Sequence, residues 1–255
     1  MAEYNTMELM ICAAARELEN GATVAVGTGA PCAATMLAQK TGAPDLVIIF
    51  EAGGIAPLLP TMPISVGDSR TFYKAVMASG MCDVMETMAR GIVDYCFLGG
   101  AQIDMYGNIN STVIGDWENP KVRLPGSGGA NDFGSMAWKT MIITVQDKRR
   151  FVEKVDFITT PGYLNGPGAR EEAGLAPGTG PHKVITNMAV LGYDDETKRM
   201  RVESIHKGYT FEDVQENVSF ELLKAPKIVE TPEPTLDELR ILREEVDPDG
   251  YIIGR

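Results

Sequence analysis

Two chemistries that many enzymes rely on have few residues to work with here. Histidine occurs only twice in 255 residues, at His182 and His206. A zinc site needs clustered ligands, and two isolated histidines do not form a cluster. Neither histidine lies in the setting of a Ser-His-Asp base. Cysteine is also scarce. Cys12, Cys32, Cys82 and Cys96 include no C-x-x-C pair and sit among mostly small or apolar neighbours, the pattern of buried reduced thiols.

Long apolar runs and excess positive charge are missing too. No run reaches membrane-spanning length. The opening MAEYNTMELM has no basic region followed by an apolar core, so no signal peptide is expected and the cytoplasm is the expected compartment. Lys and Arg total 23 against 35 Asp and Glu, a net charge of −12. Such a surface repels nucleic-acid phosphates and anionic membranes, so neither is expected as a partner. An anionic small ligand would need a locally positive pocket or a ring of backbone N–H groups. There is no low-complexity linker and no internal repeat. One domain over 1–255, built as a single α/β core or two tightly fused lobes, is expected.

What is present is a regular alternation. Hydrophobic residues make up 44% of the chain, enough for a core that buries roughly three quarters of the unfolded surface. Met7, Met10, Ile11, Ala14 and Leu18 recur at helical spacing over residues 5–18, and Gly21 offers a left-handed stop. Strands are expected at 22–26, 46–50, 95–98, 140–146 and 155–159. Helices are expected at 31–40 and around 75–90. Uninterrupted apolar strands such as Leu46-Val47-Ile48-Ile49-Phe50 suit a parallel sheet covered on both faces. The expected fold class is therefore α/β: an open, mostly parallel sheet flanked by helices. Residues 183–206 flank the turn-like Tyr193-Asp194-Asp195-Glu196-Thr197 and read as an antiparallel hairpin near the C-terminal end. Short helices at 211–217 and 236–246 close the chain. Pro161 to Pro181 is rich in Gly and Pro with little periodicity, either a functional loop or a solvated excursion.

Four segments could carry chemistry. Gly27-Thr28-Gly29 between strand and helix either presents N–H groups to an anion or is simply a tight βα turn. Cys32 stands where the dinucleotide fingerprint needs glycine, so a nicotinamide cofactor is disfavoured. Glu51 directly follows a buried strand and precedes Ala52-Gly53-Gly54. Carboxylates at such strand ends sit where α/β sheets place ligands. Glu51 is thus either a base or nucleophile, or a structural partner of a basic neighbour. Gly126-Ser127-Gly128-Gly129-Ala130 either aims N–H groups at a developing oxyanion or is another turn. Gln102, Asn108 and Asn110 in the polar stretch after Gly99-Gly100 each read best as satisfying nearby backbone. Lys148-Arg149-Arg150 reads as a solvated face rather than a phosphate contact.

Together these pieces resemble the catalytic half of family I coenzyme A-transferases, nearest to the B-type subunit of the glutaconate enzymes. The likeness rests on Glu51 before Ala52-Gly53-Gly54 and on the glycine turn ending at Ala130. It extends through Val26-Gly27-Thr28-Gly29 with Pro31, Ala43-Pro44-Asp45, Ser65-Val66-Gly67-Asp68 and Gly99-Gly100-Ala101-Gln102-Ile103-Asp104. It continues in Tyr106-Gly107-Asn108, Ile114-Gly115-Asp116, Lys148-Arg149-Arg150-Phe151, Gly166-Pro167-Gly168 with Arg170-Glu171, and Thr197-Lys198-Arg199-Met200. Nearly the whole chain is covered.

The resemblance implies transfer of CoA between two acids through a mixed anhydride and a glutamyl-CoA thioester on Glu51. It implies Gly128, Gly129 and Ala130 near the thioester, and a candidate pocket including Ala52, Gly53, Gly27, Gly29 and Gln102. Coenzyme A thioester enters as substrate, with no permanently bound cofactor and no metal. It further implies a homologous A-type subunit, the pair assembling into a larger oligomer that takes acyl-CoA and a short carboxylic or dicarboxylic acid. Ala52 stands where the family often has Ser or Asn, and His182 falls in the long loop where the glutaconate enzyme would carry another polar residue, so the acid stays open. Acyl-CoA hydrolases and decarboxylases share this scaffold; the resemblance implies that they lose the strand-end glutamate that this chain keeps.

Overall fold

The computed structural model describes residues 3–254. They form two compact units, residues 3–97 with 232–254 and residues 98–231. The single span 1–255 read from the sequence also takes in residues 1, 2 and 255, which lie outside the described residues.

The first unit holds a five-stranded sheet of β1 (Thr23–Val26), β2 (Val47–Phe50), β3 (Gly54–Ile55), β4 (Met77–Ala78) and β5 (Tyr95–Leu98). Their order is β5-β1-β2-β3-β4, and Leu98 at the tip of β5 is the first residue of the second unit. β1 runs parallel to both β2 and β5, whereas β3 and β4 add on antiparallel. The helix Thr6–Ala15 begins where the sequence suggests. Asn5 Oδ1 accepts the Glu8 N–H at 3.0 Å, and Glu8 returns a bond to the Asn5 N–H at 2.9 Å. The helix Ala30–Lys40 links β1 to β2, with Pro31 in its first turn, where its missing N–H costs no helix bond. Leu236–Ile241 and a π turn at Leu242–Val246 pack against it.

The helix expected around 75–90 begins later, at Met81. Residues 77 and 78 pair with Gly54 and Ile55 instead, so edge pairing overrides local helical preference. Gly80 then opens the helix, its N–H donating to Asp83 Oδ2 at 3.0 Å.

The second unit contains two small hairpins, β6 (Gln102–Ile103) with β7 (Ile109–Asn110) and β8 (Val113–Gly115) with β9 (Pro120–Arg123). Its larger sheet comprises β10 (Lys139–Ile143), β11 (Gly180–Ile185), β12 (Ala189–Tyr193), β13 (Met200–Ile205) and β14 (Leu223–Glu230). β10 and β11 are parallel, and β11, β12 and β13 antiparallel, so the hairpin read at 183–206 is present. β14 lies parallel to β13 and was not foreseen. Phe151, Ile142, Val184, Leu191 and Val202 centre the core. The fold class is α/β, with parallel strands flanked by helices and antiparallel pairs towards the sheet margins.

Three local expectations changed. Residues 155–159 form no strand: Asp156 turns its carboxylate onto the Gly115 N–H at 2.8 Å, and only Thr160 bridges to Ile109. His182 lies on β11 rather than in the long loop. Cys12, Cys32 and Cys96 are buried as expected, but Cys82 is exposed. Burial pushes the Cys12 and Cys32 thiols up to about 12. Among the described residues, no helix is long and apolar enough to cross a membrane.

Candidate active site

In the parallel pair β1–β2, Val26 lies opposite Phe50. The next residue of each strand is Gly27 and Glu51, so both leave the same sheet edge about 5 Å apart. Glu51 and Ala52 occupy the middle of a tight turn closed by the Gly53 N–H donating to the Phe50 carbonyl at 2.9 Å. Gly53 has φ +116°, a conformation that favours glycine. A Cβ on Gly53 would run into the Ser79 carbonyl, and one on Gly54 into the Thr71 carbonyl. Gly53 and Gly54 are thus required by backbone packed directly against them. The Glu51 side chain is half-buried, and no hydrogen bond or ion pair to it is found among the described residues. The basic partner that a purely structural Glu51 would require is not found among the described residues.

Gly27 and Gly29 differ in what they contribute. Gly29 caps the helix Ala30–Lys40 at φ +83° with no side chain capping the end. Helix N-terminal N–H groups carry partial positive charge, so an anion is favoured at this edge of the sheet, on the strand next to Glu51. A Cβ at Gly27 would meet nothing within 4 Å, which leaves open space at that position.

Gly128, Gly129, Ala130 and Gln102 belong to the second unit. Gly126 and Gly128 adopt φ +96° and +49°. The turn is anchored on both sides: the Gly126 N–H donates to the Ser111 carbonyl at 2.9 Å, and Ser111 Oγ donates to the Gly126 carbonyl at 2.9 Å. Asn131 Nδ2 donates to the Thr159 carbonyl at 3.0 Å, and Thr160 Oγ1 to the Ala130 carbonyl at 3.1 Å. Within this frame, the N–H groups of Gly128 and Gly129 donate to no group among the described residues. The turn therefore holds two N–H groups on a fixed backbone, available to an oxygen anion.

Gln102 is buried and its amide is committed. Its Oε1 accepts from Asn110 Nδ2 at 2.7 Å and from the Asp156 N–H at 3.0 Å, while Nε2 donates to Asp156 Oδ2 at 3.0 Å. Any contact to a substrate would compete with these bonds. Asn108 and Arg170 organise the Gly- and Pro-rich stretch. Asn108 Oδ1 accepts from the Gly162 and Leu164 N–H groups at 2.8 and 3.1 Å. Arg170 Nη1 donates to the Pro161 and Gly162 carbonyls at 2.9 and 2.8 Å. Asp104 accepts from Asn108 Nδ2 at 2.9 Å, and burial raises its carboxyl above the ordinary range despite these bonds. Residues 161–170 are thus strapped to the unit rather than loose. In the basic run, Arg149 is exposed, whereas Arg150 turns inward to Thr144 Oγ1.

The model of the family described as "Coenzyme A transferase" matches residues 7–217. The chain belongs to the coenzyme A transferase family. The B-type subunit of the 3-oxoadipate CoA-transferase of Pseudomonas knackmussii is 41% identical over 244 residues, 95% of this chain and 94% of that protein. The B-type subunit of the glutaconate CoA-transferase of Acidaminococcus fermentans is 39% identical over 256 residues, 98% of this chain and 95% of the other. The crystal structure of glutaconate coenzyme A-transferase from Acidaminococcus fermentans superposes with a TM-score of 0.94 at 37% identity, covering 99% of this chain and 98% of that one. This CoA-transferase chain therefore shares its fold and its enzyme class with those relatives.

Sequence reasoning missed Ser79. It fell inside an expected helix, so nothing set it apart. The one signal was Gly80, a residue that disfavours helix interiors and here marks the helix start. Asn108 was read as satisfying nearby backbone and Arg170 only as part of a resemblance, yet both bond to the distant 161–164 segment.

Proposed function

We propose that Glu51 is the nucleophile of a CoA transfer between an acyl-CoA and a short carboxylic or dicarboxylic acid. A Glu51 carboxylate oxygen attacks the thioester carbon. The C–S bond breaks, CoA thiolate leaves and a mixed anhydride remains. The thiolate then attacks the Glu51 carbonyl of that anhydride, releasing the first acid as its carboxylate and leaving a glutamyl-CoA thioester. The second acid reverses both steps and leaves as its CoA thioester. A carboxylate is a weak nucleophile, so transition-state charge must be stabilised and the long CoA tail must contribute binding energy at the distant reacting carbon. The N–H groups of Gly128 and Gly129 are proposed for the oxyanion, with Ala130 beside them in the CoA contact. Gly27, Gly29, Ala52 and Gly53 are proposed to line the acid and thioester side.

The observation that carries this reading is Glu51, without a partner among the described residues, on a closed turn beside an uncapped helix N-terminus. Relatives named for 3-oxoadipate and glutaconate favour a dicarboxylic acid. Both relatives are B-type subunits, which favours a homologous A-type partner with this chain as one subunit domain; the cytoplasm is proposed as its compartment. The test is to coexpress the A-type partner, add acyl-CoA alone and trap the enzyme with hydroxylamine or borohydride. A mass change on the Glu51 peptide is expected. Unmodified Glu51 during turnover would overturn the mechanism.

A further inference from the structure

We infer that Ser79 is a positioning residue for Glu51, clamping the turn on which the carboxylate sits. The inference rests on the CoA-transfer reading and adds a residue to it.

The geometry forms a short relay of hydrogen bonds. The Phe50 carbonyl accepts from the Gly53 N–H at 2.9 Å, which closes the turn around Glu51 and Ala52. The Gly53 carbonyl, at the far side of the same residue, accepts twice from Ser79: from its N–H at 3.0 Å and from its Oγ at 3.1 Å. Both lone pairs of that carbonyl are engaged by one residue. The plane of the peptide that ends the Glu51 turn is therefore fixed in two directions rather than one. The close approach of the Ser79 carbonyl to Gly53 Cα adds a steric stop on the same residue.

Ser79 is itself held. It follows β4, which pairs with β3 through Gly54 and Ala78. It precedes Gly80, whose N–H is tied to Asp83 Oδ2 at 3.0 Å at the start of the helix Met81–Ala89. The clamp therefore stands between a strand pairing and a helix cap.

No other side chain donates to the backbone of residues 51–53 among the described residues. The Ser79 hydroxyl is thus the only side-chain contact of that kind through which sequence sets the Glu51 turn. Its chemistry is specific. Alanine keeps the backbone N–H bond but loses the hydroxyl bond, and threonine keeps both donors. A nucleophile must approach its carbon along a defined line, and a shift of about 1 Å can cost on the order of 10²-fold in rate. Loss of one of two bonds to the anchoring carbonyl loosens the turn without removing it.

The experiment uses the coexpressed two-subunit enzyme with Ser79→Ala and Ser79→Thr. Three quantities are read: kcat, KM for acyl-CoA, and the rate at which the Glu51 peptide gains CoA from acyl-CoA alone. For Ser79→Ala, kcat and the rate of adduct formation are expected to fall together by about threefold to thirtyfold. KM should stay within about twofold and the melting temperature within about 3 °C. Ser79→Thr is expected to recover most of the loss. The inference is overturned if Ser79→Ala forms the adduct at the wild-type rate, or if its loss appears in KM alone. It is also overturned if threonine fails to restore a well-folded enzyme's kcat. Should Ser79→Ala not assemble, Ser79→Cys replaces it; full activity with that weak donor would overturn the inference. A wild-type enzyme that forms no Glu51 adduct would instead sink the CoA-transfer reading. A wild-type adduct with an unaffected Ser79→Ala sinks only the role of Ser79.

Discussion

Val26 and Phe50 stand opposite one another in the parallel pair β1–β2, so Gly27 and Glu51 leave the sheet as neighbours. An uncapped helix begins shortly after Gly27, at Ala30 beyond the Gly29 cap. One strand thus delivers a carboxylate, and the adjacent strand leads into a helix N-terminus that no side chain caps. Replacing Glu51 by glutamine keeps the shape but removes the proposed nucleophile. Activity of the two-subunit enzyme is expected to fall at least about 10³-fold, with the melting temperature within about 2 °C of wild type. Near-normal turnover by Glu51→Gln would show that another group does the chemistry.

Gly53 and Gly27 should respond oppositely to alanine. Gly53 combines φ +116° with the Ser79 carbonyl in the way of a Cβ, so Gly53→Ala is expected to cost at least about 2 kcal/mol in urea unfolding. Gly27 has open space around a Cβ, so Gly27→Ala should fold within about 0.5 kcal/mol of wild type. Equal stability losses at the two positions would contradict this account of the turn.

Stability should drop on mild acidification because of His206. Burial holds its imidazole below the ordinary 6.5. Nε2 lies 2.8 Å from the Thr186 carbonyl and so carries the proton, leaving Nδ1 to accept from Thr231 Oγ1 at 2.9 Å. Above pH 6.5 both folded and unfolded forms are neutral, and the network's contribution is complete. As pH falls below 6.5 the unfolded chain takes up a proton first, and stability is lost. Glu8 and Glu238 act lower. Burial alone would raise both carboxyls, but bonds from Arg243 and Arg16 outweigh it and lower them, so their contributions fade only below about 4.5. Unfolding free energy measured between about pH 7 and 5 should therefore fall with acid in wild type and fall less steeply in His206→Gln.

Asn108 ties the Gly- and Pro-rich segment to β7 through the N–H groups of Gly162 and Leu164 and the Leu164 carbonyl. Asn108→Ala leaves those backbone groups without their partner and takes the side-chain donor from Asp104, which keeps the N–H groups of residues 106 and 108. A loss of roughly 2–4 kcal/mol is expected. Limited proteolysis should then cut within residues 161–168, where the wild type should resist cleavage. An unchanged digestion pattern would show that Arg170 alone suffices.

Removing Arg243 tests how the chain ends support the first unit. Its guanidinium grips the buried Glu8 carboxylate at 2.5 and 2.8 Å. Arg243→Ala leaves that carboxylate with the Asn5 N–H but no cation, and should destabilise by about 1–3 kcal/mol near neutral pH. The difference from wild type should shrink below about pH 4.5, where Glu8 no longer needs its partner; a constant difference across pH would point to lost packing instead.

Much of this was legible in the residues. The apolar runs of β1, β2 and β5 and the spacing of the first helix located the parallel part of the first unit. Glycine and proline punctuation located the turn at Gly126 to Ala130. What stayed hidden depended on pairing between distant segments. Met77 and Ala78 carry no strand signal of their own and become β4 only because Gly54 and Ile55 lie beside them. Val155 to Thr159 looks like a strand, yet Asp156 is diverted to Gly115. Glu51 was conspicuous at its strand end, whereas Ser79 has meaning only through the Gly53 carbonyl.

The Glu51 turn is fastened by main-chain bonds and by one serine, not by the side chains that surround the carboxylate. Its position is therefore indifferent to most exchanges around it. Beyond Gly53 and Gly54, the residues around it, Ala52 first, are expected to be exchangeable without displacing the carboxylate. On the proposed CoA transfer, substrate range and bond-making would then be mechanically separate, and new acid preferences are expected to be reachable by single steps that leave the chemistry in place.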